Sequence, residues 1–338
     1  IGGMYLHLHF PKIMCSLRRL SLVVTIVILN LGFAKFVEVL LVHTSYNYLD
    51  LVRYPVFVPF AALLISMLVN VRVAIFSCGF LAIVMALTLV VEWDGFLLIN
   101  LLVSIVVVLS SSNLRKRKDV FKTCLKGFLV ALLASLSWNL YEDPSLSSLP
   151  YLDIASAFVS MMLMAVLVIG FVPLLEMVFN VMTNVTLVEF LDPNHELLKR
   201  LSIEAPGTYQ HSLVVGNLAE AAAIGIGCNG LFCRVTSLYH DIGKLMSPHY
   251  FTENQQGGIN MHHLLTPLES AQVIIGHVEE GVLMASAAGL PQAFIDVIKE
   301  HHGDTLVYYF FHKQSELMGG DESLVDKEEF RYPGPKPQ

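Results

Sequence analysis

Charge is what this sequence has least of. Only 14% of its 338 residues are Asp, Glu, Lys or Arg, where a soluble globular chain carries about 25%. With 55% hydrophobic residues and a mean hydropathy of +0.63, that shortage excludes a wholly water-soluble protein and places a large part of the chain in lipid. Cysteine is scarce too. The five thiols are Cys15, Cys78, Cys124, Cys228 and Cys233, and none forms a C-x-x-C pair, which argues against a disulfide framework and a Cys-type zinc site. Three lie in or beside apolar segments, where a thiol acts as a small hydrophobe. Cys228 and Cys233 are close enough in sequence to pair, but a reducing cytosol would keep them apart. Strand-like alternation is missing throughout, so the fold reads as all-α. The chain also opens without Met, on "IGGMYLHLHF". With no charged n-region and no long apolar core this is not a signal peptide. It reads as the tail of a preceding apolar span, and the chain as a fragment.

What charge there is divides unevenly. Residues 1–179 hold 12 Lys/Arg and 9 Asp/Glu, whereas residues 180–338 hold 9 and 19, together with ten of the 13 histidines. This predicts a membrane region over 1–179, a linker helix over 180–206 and an acidic, His-rich domain over 207–338. A membrane-spanning helix needs about 20 mostly apolar residues. Six stretches qualify: 20–42, 55–70, 73–91, 96–112, 120–140 and 151–178. Basic residues flank alternate loops (Arg18 and Arg19, Arg72, and the run Arg115 to Lys118), while Glu92, Asp94, Glu142 and Asp143 mark the others. The positive-inside rule then puts the basic loops and the His-rich domain on the cytoplasmic side of a cell inner or plasma membrane. The run 115–118 suits orientation or lipid headgroups, not a nucleic acid polymer. Lys35 and Glu38 are three apart within a span and share a helix face, which predicts a structural pair. Spans so nearly free of polar residues argue against a transporter.

The second half carries the chemistry. "DPNHELLKRL" predicts a helix with Asp192 as N-cap and Pro193 at its first position. Pro206 and Gly207 break the chain, and Thr208 is placed to cap the next helix, which carries His211. "FCRVTSLYHDIGK" predicts a helix bearing His240 and Asp241, followed by a turn region over 247–265. "TPLE" (266–269) has the pattern of a capping box with Pro at the first helical position. Its helix holds His277 and stops near Gly289; the next begins at Pro291 and ends at His301, His302 and Gly303. Six nitrogen and oxygen ligands in the order His, His-Asp, His, His-His suit a pair of Mn²⁺ or Fe²⁺/Fe³⁺ ions better than one structural zinc. Asp241, with two oxygens, can bridge two metals. Metals about 3.5–4 Å apart activate a water and hold a phosphate oxygen.

His211, "HDIGK" (240–244), His277 and "HHG" (301–303) resemble the HD-domain metallophosphohydrolases. The flanks "EAPGTYQHSLVVGNLAEAAA", "LYHDIGKL", "ENQ", "IKEHHGDTLVYYFF" and "FRYPGPKPQ" are similar to those of the seven-transmembrane HD phosphodiesterases of the PgpH type. The resemblance covers both halves. It implies a multi-span α-helical membrane region followed by an all-helical HD domain that hydrolyses cyclic-di-AMP to pApA. It also implies a site: His211, His240 and Asp241 on one metal, and His277, His301 and His302 on a second bridged by Asp241. Lys244 would face the substrate phosphate. The expected partners are a cyclic dinucleotide, the bilayer and, in a homodimer, a second copy.

Three departures accompany the resemblance. A further Asp ligand that the family carries after "FRYPGPKPQ" has no counterpart before Gln338, and the family's large extracellular domain between an initial span and the rest is missing from this sequence, which supports the fragment reading. The G-Y-P element of the related cyclic-di-GMP enzymes is replaced by "HHGDTL", which favours cyclic-di-AMP over cyclic-di-GMP. A nucleotide-binding signalling module without turnover is the alternative reading. His249, His262, His263 and His312 lie outside the ligand series and read as loop or surface residues, His263 being the first candidate exception. Lys244 has the alternative role of capping a helix end. "VYYFFHK" (307–313) reads as core packing, with stacking against an adenine as the alternative.

Overall fold

The computed structural model describes residues 16–43, 55–89, 93–111, 114–142, 150–255 and 260–337, with Phe10 and Gly257. The fold is all-α. Among the described residues there is no strand, and the only bridge pairs Leu306 with Arg331. The chain divides into two compact units, Ile1–Thr186 and Leu187–Gln338.

The first unit contains helices α1 (Leu17–His43), α2 (Val58–Leu68), α3 (Val71–Thr88), α4 (Trp93–Ser110), α5 (Arg117–Glu142) and α6 (Pro150–Phe179). These coincide, with shifted ends, with the six apolar stretches read from the sequence. Of these, α1, α3, α5 and α6 are long and apolar enough to cross a membrane. Helix α2 is different. Its 11 residues rise only about 16 Å, roughly half a bilayer core, and its side chains are almost all buried. A helix end sealed in an apolar interior needs partners for its free N–H groups. Asn100 of α4 provides them: its Oδ1 accepts from the N–H of Phe57 at 3.0 Å and of Val58 at 3.1 Å, and its Nδ2 donates to the carbonyls of Pro55 and Phe96. The predicted pair forms between Lys35 and a buried Glu38, and Lys35 also donates to the Thr88 carbonyl at 3.0 Å.

A short helix α7 (Asn184–Glu189) precedes the His-rich helices α8 (Glu196–Glu204), α9 (Pro206–Gly225), α10 (Gly230–Tyr239), α11 (Pro267–Ala287), α12 (Gln292–Glu300) and α13 (Tyr308–Leu317). Three expected starts and stops shift. Asp192 does not cap a helix: its Oδ1 accepts the Asn194 N–H at 2.9 Å, which closes a local turn, and α8 starts at Glu196. Thr208 is not an N-cap either, because α9 starts at Pro206, where a missing N–H costs nothing. The helix expected to carry His240 and Asp241 ends at Tyr239, and a 3-10 turn over Ile242–Met246 follows. The capping box at Thr266 and Glu269 forms with both bonds, and Gly303 takes φ +57° just past the paired histidines. Tyr239 and Phe294 are fully buried, 5.4 Å apart, in the core of this unit.

Candidate metal centre

The six expected ligands come from four places: His211 from α9, His240 and Asp241 from the end of α10, His277 from α11, and His301 and His302 from the end of α12. The 3-10 turn makes this convergence possible. A Cβ on Gly243 would stand 1.9 Å from the His277 carbonyl oxygen, so only glycine lets the turn press against α11. The ligand atoms gather in two groups that share Asp241, namely His211, His240 and Asp241, and Asp241, His277, His301 and His302, each within 4.8 Å. Asp241 and His277 are buried and His211 is exposed.

One local rule orients three of the rings. The Nδ1–H of His240 donates to Ser237, that of His277 to Ile274 and that of His301 to Ile298, each to the carbonyl three residues back. A carbonyl only accepts, so Nδ1 carries the hydrogen and Nε2 is directed inward. Second-sphere bonds of this kind orient imidazoles that bind metals. His240 Nε2 lies 3.2 Å from Asp241 Oδ2, and the Nε2 atoms of His277 and His301 lie 3.2 and 3.6 Å from Oδ1. The two latter nitrogens are 3.4 Å apart. Lone pairs meeting a carboxylate at these distances repel unless positive charge sits among them. Burial opposes charge on Asp241, yet the facing imidazoles of His240, His277 and His301 hold its carboxyl well below the usual range. Burial, with His301 and His277 alongside, pushes the His302 imidazole down to about 3, which keeps it neutral as a metal ligand must be. Divalent cations suit the whole donor set.

Lys244 does not stand free to meet a phosphate. Its Nζ lies 2.9 Å from Asp241 Oδ2 and 2.8 Å from Glu253 Oε1, over the Phe251 ring at 4.9 Å. Burial disfavours its charge, and Asp241 and Glu253 outweigh that and raise its pKa. Glu253 also accepts from the Thr208 hydroxyl at 3.1 Å, and Asn254 bonds the Thr208 backbone N–H and hydroxyl. The turn over 252–254 thus clamps the start of α9 one turn before His211. Sequence reasoning quoted "ENQ" for its resemblance and missed this role. It also missed Tyr332, which stacks on His302 at 4.1 Å and 13°. His262 corrects an expectation: it, rather than His263, leaves the surface and is buried. Beside the cluster opens a cleft of about 490 Å³ lined by Lys244, His277, His302, Tyr332 and residues of the 250–262 and 309–310 segments.

Comparison with known proteins bears on both units. Residues 1–183 match the family model described as "7TM receptor with intracellular HD hydrolase", and residues 208–328 match the HD domain. The protein called cyclic-di-AMP phosphodiesterase PgpH is 37% identical in Listeria monocytogenes, over 82% of this chain and 39% of the relative. In Bacillus subtilis it is 36% identical, over 85% and 41%. The chain therefore spans about two fifths of the length of these relatives. A crystal structure of the L. monocytogenes PgpH HD domain matches at 48% identity over 43% of this chain and 66% of that one, with a TM-score of 0.40. Its complex with cyclic-di-AMP gives 48%, 44%, 67% and 0.41.

Proposed function

This chain belongs to the family of 7TM receptors with an intracellular HD hydrolase, and we propose that its His-rich unit is a metal-dependent phosphodiesterase that converts cyclic-di-AMP to pApA on the cytoplasmic side of the membrane. The observation that carries the reading is the convergence of three inward Nε2 atoms on a buried Asp241 shared by two ligand groups. His211, His240 and Asp241 would hold one divalent ion, and Asp241, His277, His301 and His302 the other. Bound there, such ions supply an activated water and neutralise charge developing on a phosphoryl oxygen. The chain's own residues do the rest. The i−3 carbonyls fix the rings, so the ligands need no reorganisation. Lys244, held beside Asp241 and Glu253 at the cleft, would present its ammonium to a non-bridging phosphate oxygen were the Asp241 charge shared with a bound cation. The substrate class comes from the relatives' names and from the absence of G-Y-P after the paired histidines.

The test is hydrolysis of cyclic-di-AMP by the full chain in detergent with Mn²⁺, followed by chromatography beside an Asp241→Ala control. Formation of pApA only with Asp241 intact supports the enzyme. No turnover with metal bound at normal occupancy sinks it and favours a nucleotide-binding signalling module.

A further inference from the structure

The cleft beside the metal centre is also lined by a pair of polar side chains, Asn260 and His262, that the phosphodiester chemistry does not use. His262 is only 7% exposed, packed between the rings of Tyr250 at 5.7 Å and Phe310 at 5.0 Å. Its Nε2–H donates to the Tyr250 carbonyl at 2.8 Å. With the hydrogen on Nε2, Nδ1 is a bare acceptor, and no described residue donates to it although it is buried. Two residues earlier, Asn260 uses its Oδ1 to accept the His262 backbone N–H at 3.0 Å. That bond fixes which end of the amide is which, and it leaves the Nδ2 hydrogens without an acceptor among the described residues. Both side chains line the cleft that Lys244 and His277 line. Tyr309, 69% exposed, and Phe310 flank the same space at 83° to each other.

A donor and an acceptor on residues two apart, lining one cleft with aromatic rings, match the kinds of group on the edge of one purine. Adenine presents a donor, its 6-amino group, beside an acceptor, N1; a 6-oxopurine (guanine or hypoxanthine) presents the reverse. We propose that Asn260 and His262 form a base-reading subsite: Nδ1 of His262 accepts from the 6-amino group and Nδ2 of Asn260 donates to N1, with the base laid against Tyr309. A 6-oxopurine would bring its carbonyl against the His262 lone pair and its N1–H against the Asn260 amide. A base free of its stack is read by hydrogen bonds to its Watson–Crick edge and by stacking against aromatic side chains. The chain's preference for an adenine dinucleotide is then built into a fixed imidazole tautomer. This inference rests on the cyclic-di-AMP reading above, and its test separates the two.

The full chain in detergent, loaded with Mn²⁺, is titrated with the hydrolysis-resistant bis-phosphorothioate analogues of cyclic-di-AMP and of cyclic-di-IMP, its deaminated counterpart, so that no turnover intervenes. The wild type is expected to bind the adenine form tighter by roughly tenfold or more. His262→Phe keeps the ring and removes the acceptor, and it should bring the two affinities within about threefold of each other. Asn260→Asp replaces the donor by an acceptor and should turn the preference toward cyclic-di-IMP. Equal preference in the wild type and both variants, or no binding by the wild type, overturns the subsite. Mn²⁺-dependent hydrolysis of bis(p-nitrophenyl) phosphate, which has no base, is followed in parallel and should be the same in all three proteins. Failure of the wild type to hydrolyse it or cyclic-di-AMP, with the binding preference intact, would remove the phosphodiesterase reading and leave the subsite standing.

Discussion

The two units bury polar groups for opposite purposes. In the helical bundle of the first unit, Asn100 is fully buried and makes four hydrogen bonds, three to backbone around the start of α2 and one to the Phe96 carbonyl of its own helix. Ser111 bonds the Val108 carbonyl and Ser66 in the same manner. Asn30 and Ser104 are exceptions, with no partner among the described residues. In the His-rich unit the pattern inverts: the buried Asp241 Oδ1 and His262 Nδ1 lack donors among the described residues, and three imidazoles turn bare nitrogens inward. An apolar interior must satisfy its polar atoms internally. A site that binds a ligand leaves them short of partners until the ligand arrives.

The contrast can be broken at several points. The largest effect is expected at its centre: Asp241→Ala should lower cyclic-di-AMP turnover by at least about 10³-fold and empty both ligand groups of Mn²⁺. Retention of metal by elemental analysis would mean the groups do not share that carboxylate. Next is Asn100→Leu, which strands two buried N–H groups and should destabilise the bundle by about 3 kcal/mol, seen as an earlier transition in detergent unfolding. Mn²⁺ content should stay unchanged; if it falls, the two units do not bury polar groups independently.

Gly243→Ala tests the close approach that builds the site. With 1.9 Å between the new Cβ and the His277 carbonyl, the turn must retreat from α11. We expect about 2 kcal/mol of lost stability, a melting temperature lower by roughly 4–8 °C, and weaker Mn²⁺ binding. A stable variant with normal affinity would show that the turn does not set the metal geometry. The smallest effect concerns pH. Burial opposes charge on Glu253, but Lys244 outweighs it and lowers its pKa from 4.5. A carboxylate depressed in the folded state contributes stability that is present above its unfolded value and lost as the pH falls through the folded one. The metal-free chain should therefore lose stability as the pH drops below about 4.5, and Glu253→Gln should remove at most about 1 kcal/mol of that slope. An unchanged acid melting curve would place the Lys244–Glu253 pair outside the stability of this unit.

Much of this was legible from short stretches of sequence. The capping box at Thr266 needs only residues 266–269, and both its bonds form. Gly303 after the paired histidines takes the positive φ that a glycine there suggests. Helix starts at Asp192 and Thr208 were misread because each side chain had a competing partner: the Asn194 N–H close by, and Glu253 with Asn254 some 45 residues away. The end of α10 was misread because what stops it is the approach to α11 at Gly243. His262 looked like a loop residue because nothing near it in sequence shows that Phe310 will cover it.

The sequence by itself determined the apolar character of the first half, the types of donor atom available to a metal and their order along the chain. These follow from composition and from helical period, which are local. Only the tertiary structure decided that Lys244 is held between two carboxylates, that Tyr332 stacks on His302, and that one histidine outside the ligand series is buried with an unpartnered acceptor. These depend on contacts between separate helices and turns, where close packing, not the residue's own preference, fixes which atom faces which.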